Sequence, residues 1–233
     1  MFIPGMTSSS YLWVLLAMLL AFGAQMYLSS TYGRYSRIRN ARNLTGAEVA
    51  RDILDANGLH NVPVEMTPGQ LTDHYDPVRK VLRLSEGNYS QPSLAALAVA
   101  AHEAGHAIQD ARSYAPLRAR AQLFPVLSFG SNFGPWMIIA GLIFNFTSLA
   151  WLGLLFFAGA LLFHLVTLPV EFDASRRALA ILEGNGYLSR QENAGARTVL
   201  NAAALTYVVG FLIALAQVMH YLMLLLGSSR RDE

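Results

Sequence analysis

Four stretches without a formally charged side chain constrain this 233-residue chain most. They cover residues 11–28, 123–146, 149–168 and 199–226. Each is about as long as an apolar helix that crosses a bilayer. Hydrophobic residues make up 54% of the chain and charged residues 14%, against roughly a quarter charged in soluble domains. The apolar residues are clumped rather than spread periodically as a soluble core would spread them. The sequence therefore predicts a mainly α protein with several membrane helices and a small polar domain. The first run reads as an uncleaved anchor. No basic residue precedes it and no small-residue cleavage site follows it, as a secretory signal would require.

Basic residues orient the spans. Arg34, Arg37, Arg39 and Arg42 follow the first run, whereas residues 1–10 carry no charged side chain. By the positive-inside rule the N-terminus lies outside and residues 30–120 are cytoplasmic. The second and third spans form a hairpin with an outer turn around 145–148. Residues 171–197 then return to the cytoplasm with Arg176, Arg177, Arg190 and Arg197. Only Arg230 and Arg231 fall outside in this arrangement, and a re-entrant last segment would bring them in. The expected organisation is a transmembrane helix at 11–28, a catalytic domain at 29–122, spans at 123–146 and 149–168, a further helix at 169–198 and a last span at 199–226.

Residues 44–60 read as an amphipathic helix. Thr45 and Glu48 stand in capping-box spacing, and Gly58 is a natural stop. A short extended piece ends at Pro68-Gly69. Residues 71–87 read as a hairpin turning at Asp76-Pro77, with 80–84 alternating in the manner of a strand. Ser90-Gln91-Pro92 is expected to open a helix that runs through LAALAVAAHEAGHAIQDA, since proline is tolerated in a first turn.

That helix carries His102-Glu103-Ala104-Gly105-His106. Histidines at i and i+4 share one helical face, so both rings can reach one ion. Imidazole suits zinc, and the absence of cysteine leaves only His, Asp or Glu as strong ligands. Glu103, one residue around the helix, is placed to take a proton from the attacking water and pass it to the leaving amine. Ala104 and Gly105 are small enough for a neighbouring helix to approach closely. Shuffling this composition would yield such a motif in roughly one chain in two hundred, so its setting matters. It lies on a helix, after a strand, between apolar flanks.

An open zinc site needs a third protein ligand. Glu171, Asp173, His164, His74 and His220 are the candidates, and Glu171 fits best. It begins a polar helix just past Pro169, on the membrane side of His102, because an even number of spans separates the two. Pro169 is expected to break the helical phase between His164 and Glu171. His220, inside the last span, reads as a packing or interface residue.

The segments LTDHYDPVRKVLRLS, AAHEAGHAIQ and LPVEFDASRRAL together resemble membrane zinc metallopeptidases of the YugP type over nearly the whole chain. More distantly they resemble the HtpX and CAAX prenyl-protease families. The resemblance implies a small α+β zincin-like (HExxH…E), gluzincin-like catalytic domain. It implies one Zn2+ held by His102, His106 and Glu171, with Glu103 as the base. The distant relatives carry an Asp four residues after the ligand Glu, which can orient a ligand His. Here that position is Ser175, with an acid at Asp173 instead, so either residue is a candidate support. The same pattern draws attention to His74 and Tyr75 as donors to the oxyanion. Asp76-Pro77 as a plain turn is the alternative.

The chain thus reads as a multi-pass cell-membrane metalloendopeptidase with its site on the cytoplasmic side. An extended peptide substrate is expected to pair along residues 80–84. The lipid bilayer is the other partner. A net charge of +2 without a dense basic block argues against nucleic acid. The sequence leaves oligomeric state open, since Gly153, Gly159 and Gly210 suit contacts within or between chains. Two rival readings differ in class. One is a zinc hydrolase of a lipid or non-peptide amide, and the other a membrane scaffold with a structural zinc. A transporter has little support, because the spans hold almost no ionisable groups.

Overall fold

The computed structural model describes residues 8–229. Arg230 and Arg231, on which the alternative orientation of the last span turns, lie outside the described residues. The chain is mainly helical with one small sheet. Its elements are α1 (Ser8–Tyr35), α2 (Gly46–Ala56), β1 (Val64–Thr67), β2 (His74–Asp76), β3 (Val81–Ser85), α3 (Glu86–Ser90), α4 (Leu94–Ala111), α5 (Ala115–Ile143), α6 (Thr147–Gly184) and α7 (Arg190–Ser229). It divides into two compact units.

The apolar unit comprises 8–24, 119–168 and 206–229 of the described residues. Among the described residues three helices, α1, α6 and α7, are long and apolar enough to cross a membrane, and α5 makes a fourth if its two bent halves count as one span. Within this unit α5 and α6 run close together on small residues. A Cβ on Gly134 would lie 2.8 Å from the Gly153 carbonyl oxygen, and one on Gly141 2.5 Å from the Ala150 nitrogen. Such close approach needs small residues at the crossing. Gly153, Gly159 and Gly210 all face atoms of this same unit.

Proline does not end α6. Pro169 sits inside one continuous helix from Thr147 to Gly184, contrary to the expected break. Proline removes one amide donor and crowds the preceding turn, but a long helix tolerates the loss where local adjustment satisfies the freed carbonyl. The last segment, α7, is likewise one continuous helix of 40 residues.

The polar unit comprises residues 25–118 and 169–205. Helix α2 begins at the expected capping box, with the Thr45 hydroxyl accepting from the Glu48 amide and the Glu48 carboxylate accepting from the Thr45 amide. Val49, Ala50, Ile53 and Leu54 are fully buried against Leu82, Leu84, Leu97 and the alanines of α4. Gly58 follows with φ +75. Helix α4 starts at Leu94 behind an N-cap at Ser93, whose hydroxyl accepts from the Ala96 amide. The helix therefore opens after Pro92 rather than with it, because a serine side chain can cap free amides and proline cannot.

The hairpin forms as β2 antiparallel to β3, with Tyr75 opposite Leu82. Pairing of β1 with β3 in parallel gives the order β1-β3-β2. This overturns the expectation that substrate pairs along 80–84. Strand β3 is central and both of its ladder edges are taken, so the strand with an edge turned towards α4 is β2.

Candidate metal centre

The site begins with the length and burial of α4. Fourteen of its residues are buried, so the helix is a core element and its few polar groups must find partners inside the protein. His102 and His106 stand one above the other, their ring centroids 4.7 Å apart and nearly perpendicular. Between them Gly105 faces α6. A Cβ there would lie 3.0 Å from the Ala174 carbonyl oxygen, so the absence of a side chain sets how near α6 comes.

That approach delivers Glu171. Its Oε2 is 3.2 Å from His102 Nε2 and 3.6 Å from His106 Nε2. One ligand atom from each of His102, His106 and Glu171 lies within 4.8 Å of the others, and this trio could hold a metal ion. Among the described residues His74, His164, His220 and Asp173 join no such group.

The back of each imidazole is also held. His102 Nδ1 lies 3.1 Å from the Ser175 hydroxyl, and His106 Nδ1 3.0 Å from Gln109 Oε1. Gln109 Nε2 donates to Asp173 Oδ2 and to the Val170 carbonyl, both at 2.9 Å. Asp173, itself buried, also accepts from Arg176 and Arg177. These contacts fix which nitrogen of His106 meets Gln109. Gln109 Oε1 can only accept, so Nδ1 carries a proton and Nε2 is the nitrogen left to face Glu171.

A lone pair pointed at a carboxylate is stabilised by a proton or a cation between them. Two imidazole nitrogens and a carboxylate oxygen are a donor set that suits zinc. The residues present therefore fit the metal. Their electrostatics run the same way. Burial tends to raise the pKa of Glu171, but the bonds and charges of both histidines outweigh it and hold the carboxyl well below its ordinary range. Burial tends to lower that of His106, and Glu171 and Glu103 reverse the effect so that its net shift is upward.

Glu103 is buried beside this group and within reach of the charges of both histidines and Glu171. Burial pushes its carboxyl up, with the histidines opposing. Its Oε2 accepts the backbone N–H of Tyr75 at 3.0 Å, so β2 touches the helix at this carboxylate. The Tyr75 hydroxyl donates to Asp110 at 2.7 Å, and burial together with that carboxylate raises the phenol above its usual range. Asp110 also pairs with Lys80. His74 is exposed on β2, its Nδ1 2.8 Å from the Thr72 carbonyl oxygen.

Sequence reading passed over Gln109, Asp110 and Asp73. Gln109 was legible in principle. It is a polar residue three positions past His106, on the helix face that packs inward. Asp73 accepts from the Ser85 amide and from Asn88 Nδ2, pinning the start of β2 to the end of β3. That link spans 12 to 15 residues and leaves no local pattern.

Comparison with known proteins agrees with this chemistry. The family described as "Putative neutral zinc metallopeptidase" matches residues 10–226, and the chain belongs to it. It is 45% identical over 214 residues to the protein named "Putative membrane protease YugP" of Bacillus subtilis (strain 168), covering 92% of this chain and 94% of that one. No solved structure matches the chain.

Proposed function

We propose that this chain is an integral-membrane, zinc-dependent metalloendopeptidase of zincin-like, HExxH…E type, with one zinc on His102, His106 and Glu171. The observation that carries the reading is the convergence of both Nε2 atoms on Glu171 while each Nδ1 is tied to a separate partner. Zinc bound there supplies Lewis acidity, making a water more acidic and a peptide carbonyl more electrophilic.

The chain's own groups supply the rest. Glu103, held by the Tyr75 amide and poised by burial, accepts the proton of the attacking water and delivers it to the leaving nitrogen. Gln109 and Asp173 orient His106, and Ser175 orients His102. Such supports typically matter 10- to 100-fold in metal affinity. Tyr75 acts chiefly through its backbone, since its hydroxyl is committed to Asp110. Of the two residues proposed as oxyanion donors, exposed His74 has the freer side chain. It would reach the substrate only by leaving the Thr72 carbonyl.

The membrane assignment rests on the apolar helices and on their outward faces. Trp136, Phe144 and Leu155 are 71, 76 and 70% exposed, an apolar surface that suits lipid. Spans at 11–28, 123–146, 149–168 and 199–226 then flank a site domain at 29–122 and a ligand helix at 169–198. The arginines at 34–42 and 176–197 put that domain on the cytoplasmic side.

The test is cleavage of unfolded casein by full-length, zinc-replete protein beside Glu103→Gln. The variant should keep its zinc and lose at least 100-fold in rate. Cleavage by the variant at the wild-type rate would remove the assignment of Glu103.

A further inference from the structure

Beside the metal centre, and within the polar unit, lies a half-open groove of about 340 Å³. One wall is the face of α6 that carries Phe172, Ser175, Arg176 and Glu183. The other is the face of α7 that carries Asn193 and Arg197. On both helices these residues recur at spacings of three and four, or at sums of those spacings, so each helix gives the groove a single face. Its head adjoins the candidate site. Phe172 follows Glu171 in the chain, and the Ser175 hydroxyl contacts His102.

The charges in the groove are unequally engaged. Arg176 is paired with Asp173, and Glu183 accepts from Asn193 Nδ2 at 2.8 Å. Arg197, by contrast, has no ion-pair or hydrogen-bond partner among the described residues. An unpaired guanidinium in a groove is a fork for a carboxylate or phosphate. The remaining lining decides between them. Glu183, Asn193 and Ser175 offer acceptors alongside the arginine, which suits a ligand carrying amide N–H groups as well as an anion. A phosphate would bring only further acceptors against Glu183.

We propose that this groove receives the carboxyl-terminal end of an extended peptide, with its free carboxylate on Arg197. The proposal rests on the peptidase reading and narrows it to substrates cut near their carboxyl terminus.

Binding separates this proposal from the reading beneath it. The probe is a fluorescein-labelled random hexapeptide pool, made once as free acids and once as carboxyl-terminal amides. Its anisotropy is measured on full-length, zinc-replete Glu103→Gln protein in detergent, which binds without turnover. Free acids should bind at least ten times more tightly than amides. Adding Arg197→Ala should bring the two within about twofold, and adding Arg197→Lys should keep part of the preference. Equal binding of acids and amides, or a preference that survives Arg197→Ala, would overturn the proposal. So would loss of co-purified phosphatidylglycerol, rather than of peptide, in Arg197→Ala, which would make the groove a lipid site. If the acid preference holds while wild-type protein cuts none of the pool, the peptidase reading falls and the groove stands.

Discussion

In the polar unit Leu54, Leu82, Leu84 and Leu97 are wholly buried, whereas in the apolar unit Trp136, Phe144 and Leu155 face outward. The contrast extends to charge. Every Asp and Glu among the described residues belongs to the polar unit, and Arg120 is the one described Lys or Arg residue in the other. One unit hides its leucines beneath a charged surface, as water requires. The other presents apolar side chains outward and draws its close contacts from small residues such as Gly134, Gly141 and Gly153. The difference shows where chemistry can be housed. A buried pair of carboxylates with two histidines needs many polar partners, and only the polar unit offers them.

The largest expected effect that separates the units is on stability. Leu97→Ala should destabilise the polar unit by about 2–5 kcal/mol, as deletion of a fully buried leucine does. Phe144→Ala, on the outward face of the other unit, should change stability in detergent by less than about 0.5 kcal/mol. Thermal unfolding of the two variants checks this, and equal losses would erase the distinction between core and outward-facing side chains.

A smaller effect sharpens the comparison inside the polar unit. Gln109→Ala severs the link from Asp173 to His106 and should weaken zinc binding 10- to 100-fold. Ser175→Ala removes one hydroxyl behind His102, and its effect should fall at the low end of that range, about tenfold. Competition against a zinc chelator measures both. A larger loss in Ser175→Ala would reverse the order of support. Smallest is Thr45→Ala, which breaks the cap of α2 and should cost about 1 kcal/mol, read from the same unfolding experiment. No change there would mean that packing of Ile53 and Leu54 alone holds the helix.

The local patterns in the sequence were the ones that carried through. The capping box at Thr45, the stop at Gly58, the hairpin between His74 and Ser85 and the i, i+4 histidines all depend on residues a few positions apart. What escaped depends on distant ones. The central place of β3 follows from its parallel pairing with β1 across an intervening strand, which no periodicity within β3 records. Pro169 stays helical because the chain on both sides is a strong helix, a context that a single-residue rule ignores. Gln109 was passed over because its flank was read as apolar, although its amide joins His106 on one element to Asp173 on another. Glu171 was reachable from its place past the third apolar run. Its distance to the histidines depends on Gly105, whose neighbour Ala174 lies 69 residues away.

The most direct test of the central claim is the zinc content of the detergent-purified full chain beside that of Glu171→Ala. One zinc per wild-type chain is expected, with zinc lost or greatly weakened in the variant. Equal zinc in both would contradict the three-residue site, and no zinc in either would contradict the metallopeptidase reading as a whole.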